Sequence, residues 1–257
     1  MKYIASCSFG KDSIATILLA RENNEPLDEI VYCEVMFDKE ISGELPEHRD
    51  FIYNKAIPTF ESWGYKVTVL RSDKTYMDCF FHKRIKGKNA GRNVGFVFSG
   101  RCDVQRDCKM KPIKEYWKLQ SKEVTQYIGI AIDEPKRLDR IANTKNEVSL
   151  LEKYGYTEQM AKEKCAEYGL LSPIYEFTNR GGCWFCPNAK DCELRHLRKN
   201  HEVLWNNLLA LENQPNLIGS IWNTLTQTSI HDKEEQFFWE DNQINIFDYA
   251  RSLETTI

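Results

Sequence analysis

Apolar residues along the chain fall into two patterns, short uninterrupted runs and helically spaced faces. Tyr3-Ile4-Ala5, Ile30-Val31-Tyr32-Cys33-Glu34-Val35-Met36, Val67-Thr68-Val69-Leu70 and Tyr127-Ile128-Gly129-Ile130-Ala131 are brief runs bounded by polar sequence. All four predict strands, residues 30–36 and 127–131 as strands buried in a parallel sheet and residues 67–70 by alternation and β-branching. Between them lie helical stretches. Ile14 to Ala20 predicts a first helix, so strand, helix and strand are complete by residue 36. Phe51, Ile52, Ala56, Phe60 and Trp63 give a second helix its apolar face, with a kink expected at Pro58. Further on, Leu150 to Gly155 and a segment capped by Thr157 predict two helices ending at Gly155 and Gly169, the second carrying Met160, Ala161, Cys165 and Tyr168 on one face. Leu204, Trp205, Leu208, Leu209 and Leu211 mark a helix with a broad apolar face. The tail, with Phe237-Phe238-Trp239 and Ile244, Ile246 and Phe247, is able to pack back on the body or on a second subunit, as in a homodimer.

A chain of 257 residues allows one large domain or a domain with an appendage. The division expected is 1–150 as an α/β domain and 151–257 as a helical, cysteine-bearing region. With 35 basic and 38 acidic residues and a net charge of −3, bulk electrostatics makes no case for nucleic acid, so any such contact needs a local patch. One exists. Lys83, Arg84, Lys86, Lys88 and Arg92 stand among Gly87, Gly91 and Gly95 with no acid between them. This is either a solvated insertion or a mobile lid that closes over phosphates or guides a polyanionic substrate. No apolar run is long enough for a membrane span, and the N-terminus reads as a strand rather than a signal peptide, so a cytoplasmic protein without membrane contact is expected.

The chemistry concentrates first at Ser8-Phe9-Gly10-Lys11-Asp12-Ser13, between the first strand and the first helix. A strand, a tight turn and a helix point backbone N–H groups and a positive helix end at one spot, which suits an anion. Lys11 adds a cation, Ser8 and Ser13 add hydroxyls, and Asp12 can cap the helix or help hold a phosphate-bound magnesium ion. The side chains of Lys11 and Asp12 are expected to face solvent and ligand. An ordinary strand-to-helix turn is the alternative. Gly10-Lys11-Asp12 lacks both the earlier glycine and the following hydroxyl of the G-x-x-x-x-G-K-[ST] loop.

The second concentration is cysteine. Nine cysteines, an odd number, argue against a fully paired disulfide framework. Cys7, Cys33, Cys79 and Cys165 lie in apolar or mixed sequence and read as small core residues. Gly181-Gly182-Cys183-Trp184-Phe185-Cys186-Pro187 forms a knuckle, and Cys192 adds a third thiol at the start of a helix. Cys102 or Cys108 could supply a fourth, so four of Cys102, Cys108, Cys183, Cys186 and Cys192 are candidate metal ligands. Zinc, an iron–sulfur cluster and an unliganded redox dithiol all fit this spacing.

The loop from Ser8 to Ser13 resembles the pyrophosphate loop, S-G-G-x-D-S, of the ATP pyrophosphatase and phosphoadenosine-phosphosulfate (PAPS) reductase superfamily. These are the PP-loop, adenine nucleotide alpha-hydrolase-like proteins. Phe9 stands where the family has a small residue, so either its φ is negative or the phosphate approach is narrower. Ile132-Asp133-Glu134-Pro135-Lys136-Arg137-Leu138-Asp139-Arg140 is similar to the end of the family's G-x-R-x-D-E-x-x-R signature, with Ala131 in place of the arginine. Asp38 with Gly43-Glu44-Leu45-Pro46-Glu47 is loosely similar to D-T-G-x-x-x-P-E, and Arg101-Cys102-Asp103 through Lys109 and Pro112 to R-x-C-T-x-x-x-K-x-x-P, which makes Arg101, Lys109 and Lys111 candidate anion contacts. The cysteine run is similar to that of DNA phosphorothioation sulfurtransferases, whose fourth cysteine falls at the position of Ile174 here.

The resemblance implies a Rossmann-like, five-stranded parallel sheet with a small helical cysteine-rich C-terminal region. Ser8, Phe9, Gly10, Lys11, Asp12, Ser13, Asp133, Glu134, Arg137 and Arg140 would bind ATP or an adenylyl sulfate nucleotide with Mg2+. Lys11, Asp12, Cys102 and Cys108 would carry the catalysis. The activity implied is adenylation of an acceptor with pyrophosphate release, coupled to sulfur transfer. Its partners would be a nucleic-acid or small-molecule acceptor and a sulfur-donor protein, with an iron–sulfur cluster or zinc as cofactor. A sulfonucleotide reductase is the alternative, although no cysteine follows Cys192 to serve as the reductases' C-terminal nucleophile. A non-catalytic nucleotide-binding subunit with a structural metal is the third.

Overall fold

In the computed structural model, which describes residues 1–96, 102–120 and 123–242, the apolar runs do form strands, although the edge strand containing Val67 to Leu70 is largely uncovered. In chain order the strands are β1 (Lys2–Ser6), β2 (Glu29–Glu34), β3 (Lys66–Arg71), β4 (Asn93–Gly95), β5 (Val124–Ile128), β6 (Glu147–Val148) and β7 (Leu217–Gly219). The α-helices are α1 (Lys11–Glu22), α2 (Pro46–Phe51), α3 (Ile57–Ser62), α4 (Tyr76–Phe80), α5 (Lys111–Lys118), α6 (Pro135–Ile141), α7 (Leu150–Lys153), α8 (Glu158–Glu167), α9 (Asp191–Asn200), α10 (Glu202–Glu212) and α11 (Ile230–Asn242). None is long and apolar enough to cross a membrane. The chain divides into two compact units, Met1–Cys79 with Cys102–Glu193, and Phe80–Arg101 with Leu194–Ile257. Residue 150, where the sequence suggests a boundary, falls inside the first unit because α7 and α8 both pack on α1.

The first unit is an α/β layer structure. Its five strands lie in the order β3-β2-β1-β5-β6, every pair parallel, with Ile4 opposite Glu29 on one side and Gln126 on the other. Ile14, Ile17, Leu18 and Ala20 of α1 are fully buried, as expected of a helix covered on both sides. They share a core with Ala5, Phe9, Ile30, Phe60, Leu151 and Cys165.

Two local departures from the sequence pattern have physical causes. Pro58 does not kink a uniform helix; a π-helical turn (Ile52–Ala56) joins α2 to α3 ahead of it, and the wider turn accommodates the missing N–H. The run Tyr127 to Ala131 is strand only as far as Ile128. The chain leaves the sheet at Gly129, where a Cβ would stand 2.7 Å from the backbone of Asp12 and Ser13. Only glycine allows the end of β5 and the first turn of α1 to approach so closely. The expected caps do form, since Thr157 accepts a hydrogen bond from Met160 N–H and Gly155 and Gly169 adopt φ of +72° and +62°.

The second unit holds the parallel pair β4–β7 and a helical cluster in which Trp205, Leu208, Ile230 and Phe237 are buried. Arg198 pairs with Glu234 and Asp241 there, while Phe238 and Trp239 remain exposed. Ile244, Ile246 and Phe247, like Gly100 and Arg101, lie outside the described residues.

Candidate functional site

β1 is the middle strand, and its successors β2 and β5 lie on opposite sides of it, so its carboxyl end opens at a topological switch point. The loop there is shaped by Phe9, which has φ of +57°. This excludes the first of the two expected alternatives, a negative φ. A bulky side chain in the left-handed region is strained by about 1–2 kcal/mol, and the strain is offset by burial of the ring. It meets Tyr32 edge-on at 5.1 Å and stacks on Phe60 at 6.1 Å. Phe9 N–H points to Cys7 Sγ at 3.3 Å, Ser8 N–H donates to Ser13 Oγ at 3.2 Å, and Ser13 Oγ–H to the Gly10 carbonyl at 2.9 Å. No side chain caps α1, so Asp12 does not play that part. Instead Lys11 N–H donates to the Tyr175 hydroxyl at 2.9 Å.

Lys11 is buried rather than facing solvent, with its side chain 7% exposed. Its Nζ lies 2.9 Å from Asp12 Oδ2 and 2.7 Å from Glu158 Oε2. Burial works against the ammonium charge, but hydrogen bonds to Asp12 and Glu158 outweigh it and raise the Lys11 pKa. Burial raises the Asp12 pKa in spite of Lys11, with Glu158 and Glu134 adding repulsion. Glu158 is itself placed by the sequence signature, because its N–H donates to Asp133 Oδ1 at 3.1 Å. Glu134 pairs with Arg137 and accepts from Ala131 N–H at 3.3 Å.

A cavity of about 510 Å³ opens over this loop. Ser8, Gly10, Lys11, Asp12 and Ser13 line it, as do Glu134 and Arg137 from beyond β5. Phe9, Asp133 and Arg140 are not among the lining residues: Phe9 serves the core and Asp133 holds α8. Sequence reasoning missed Gln126, Glu158, Tyr175 and Arg180, all of which line it. Arg180, directly before the paired glycines of the cysteine knuckle, carried a usable signal; Tyr175 did not. Gln126 Oε1 and Arg180 Nη2 are buried with no hydrogen-bond partner among the described residues. An orphaned acceptor and an orphaned donor on one cavity wall are what a polar ligand would satisfy. A hollow of similar size, about 530 Å³, lies near Trp117, Val124 and Lys145 at the start of β5, away from this loop.

The knuckle is anchored by its aromatic residues. Trp184 Nε1–H donates to the Ser42 carbonyl at 2.8 Å, and Phe185 stacks on Tyr76 at 4.1 Å. Cys186 N–H closes the turn on the Cys183 carbonyl at 3.0 Å. Burial, with Glu44, Cys186 and Cys102 adding negative charge and Lys109 opposing them, pushes the Cys183 thiol up, so Cys102 stands near Cys183 and Cys186. Arg180 lies beside Cys186 and Glu193, and the arginine therefore touches both the knuckle and the cavity wall.

Cys108 does not join this group. It is fully buried with its sulfur 3.8 Å from that of Cys79, and this neighbour together with burial keeps it protonated. Its reading as a metal ligand or sulfur carrier is not supported by this geometry. Cys192 is exposed in the first turn of α9. Among the described residues no three cysteine sulfurs lie within 4.8 Å of one another. Cys7 and Cys33 are core residues as expected, yet both also line the cavity. Burial raises each thiol to about 11, so neither is a nucleophile at neutral pH. A scan against protein-family models, a search of curated proteins and a search of solved structures each returned no match.

Proposed function

We propose that the first unit binds ATP in the manner of a PP-loop enzyme and adenylates an acceptor with release of pyrophosphate, as a step toward sulfur transfer. The observation that carries this is the Ser8–Ser13 loop. It joins the middle strand to a buried helix and floors a cavity lined by Arg180 and Gln126, whose Nη2 and Oε1 have no hydrogen-bond partner among the described residues. Backbone and hydroxyl donors of the loop would bind the β- and γ-phosphates, with Lys11, Arg137 and Arg180 offsetting their charge. Asp12 would help hold Mg2+. An acceptor oxygen attacks the α-phosphorus, the bond to pyrophosphate breaks, and the adenylated oxygen becomes a good leaving group.

The small cysteine-rich region after the sheet belongs to this reading. Cys102, Cys183 and Cys186, with Cys192 as the remaining candidate, would hold an iron–sulfur cluster. Four zinc-bound thiolates crowd to within about 4 Å of one another, whereas no three cysteine sulfurs among the described residues lie within 4.8 Å of one another, and a cluster spreads its ligands more widely. A cluster bound there would supply sulfur or electron chemistry. Nine free thiols suit a reducing, cytoplasmic setting.

The test is calorimetric titration with a non-hydrolysable ATP analogue and magnesium, alongside measurement of pyrophosphate release. Arg180→Ala is expected to weaken analogue binding about tenfold, the loss of one charge-assisted contact. Wild-type affinity in that variant, or no binding by the parent protein, would overturn the assignment.

A further inference from the structure

The second unit, taken by itself, carries the most concentrated charge in the chain, and nothing in the first unit's chemistry uses it. Residues 82–94 form a hairpin rather than an irregular loop. Val94 N–H donates to the His82 carbonyl at 2.9 Å, Arg84 N–H to the Arg92 carbonyl at 2.9 Å, and Gly91 N–H to the Arg84 carbonyl at 2.8 Å. Lys83 and Asn93 face each other as an antiparallel bridge. The turn is made possible by Gly87 and Gly91, at φ of +85° and +81°. The base is tied down where β4 pairs with β7, and the Arg92 guanidinium donates to the Leu217 carbonyl.

Arg92 is thus a structural cation, and Lys83, Arg84, Lys86 and Lys88 are left. All four are exposed, none has a carboxylate partner among the described residues, and no Asp or Glu occurs from Phe80 to Arg101. The other described arginines of the same unit are paired, Arg195 with Glu240 and Arg198 with Glu234. Four unpaired cations on an ordered ribbon, in a chain of net charge −3, repel one another and contribute nothing to folding. They suit a partner that is itself a close-spaced line of negative charge.

We infer that this hairpin is a docking finger for the phosphodiester backbone of a nucleic acid. A two-stranded ribbon matches the width of a duplex major groove. Membrane adsorption would call for an amphipathic apolar face, and the tip offers only Ile85, which is 82% exposed. The finger's contribution is electrostatic and independent of base sequence.

The test is fluorescence anisotropy with a labelled DNA duplex, an RNA hairpin and a single strand of equal length, across a series of salt concentrations. Neutralising four phosphates gives a slope of log K on log[salt] of about −3.6 for a duplex, or a loss of about 100-fold between about 50 and 200 mM salt. Lys86→Glu with Lys88→Glu is expected to lower affinity at least about tenfold and to flatten the slope by about 2. Lys86→Arg with Lys88→Arg is expected to keep both, and the preferred probe identifies DNA or RNA as the source of the backbone. Lys11→Ala, which removes only the nucleotide loop's cation, is expected to leave nucleic-acid binding unchanged, so this inference and the nucleotide reading fail separately. Wild-type affinity and slope in the double Glu variant, or binding to phosphatidylserine vesicles and to none of the three nucleic acids, would overturn it.

Discussion

Lys11 and Lys86 are both lysines in glycine-bearing turns, but they live under opposite constraints. Lys11 is buried, and two carboxylates answer its charge within 3 Å. Lys86 is exposed and unanswered among the described residues. Around the first unit's loop and β2, these costly features are resolved internally: the strained Phe9 by its ring packing, the buried Glu29 and Glu34 at the two ends of β2 by four partners each, and the α1 end by the Tyr175 hydroxyl. In the hairpin Arg92 is resolved that way, on the Leu217 carbonyl, but Lys83, Arg84, Lys86 and Lys88 have no carboxylate partner among the described residues. Internal resolution means that substitutions in the first unit act on stability as well as binding, whereas those in the hairpin should act on binding alone.

The largest effect is expected at Phe9. Phe9→Ala removes a fully buried ring and keeps the strained φ, at a cost of about 3–5 kcal/mol. Phe9→Gly loses the same ring but relieves the strain, and should be about 1 kcal/mol less destabilising than alanine. Urea unfolding of both variants checks this. Glycine equal to or worse than alanine would mean that Phe9 is not strained.

Glu29 comes next. Its burial disfavours the carboxylate, but hydrogen bonds from Lys2, Lys66, Thr68 and Tyr116 outweigh that and lower its pKa to about 2. A folded-state pKa below the unfolded one contributes stability that is present above the ordinary carboxylate value and lost as pH falls toward the folded value. Stability should therefore drop by about 3 kcal/mol between about pH 5 and pH 2 on account of Glu29. Glu29→Gln should flatten that limb of the pH–stability curve. An equally steep limb in the variant would assign the acid sensitivity elsewhere, with Glu34 the next candidate.

How far these features could be read from sequence follows the same division. Periodicity revealed the buried strands, α1, the caps at Thr157, Gly155 and Gly169, and the core cysteines, because each depends on neighbours close in sequence. The loop's place between β1 and α1 was legible for the same reason. What could not be read were contacts made over long separations: Glu158 on Lys11, Tyr175 on the α1 end, Arg180 in the cavity wall, and Cys79 on Cys108. Asp133 shows the limit well. Its motif marked it as a ligand contact, yet it acts one step removed by holding the N-terminus of α8 and so placing Glu158.

Glu158 gives a smaller and more discriminating test. It occupies the ammonium of Lys11, so on the proposed reading it would repel an incoming phosphate and a nucleotide would have to displace it. Glu158→Gln should tighten ATP-analogue binding about tenfold, or about 1.4 kcal/mol. Weaker binding instead would make Glu158 part of the ligand site, for example through magnesium.

The smallest stability effect is expected where the charge is densest. Reversing Lys86 and Lys88 removes no hydrogen bond, buries nothing and reduces repulsion among the neighbouring cations. The thermal midpoint should therefore stay the same or rise slightly, with a change within about 0.5 kcal/mol. A loss of more than about 1 kcal/mol would show that these lysines already have partners inside the protein. The hairpin would then belong with Lys11, among the charges the fold resolves for itself.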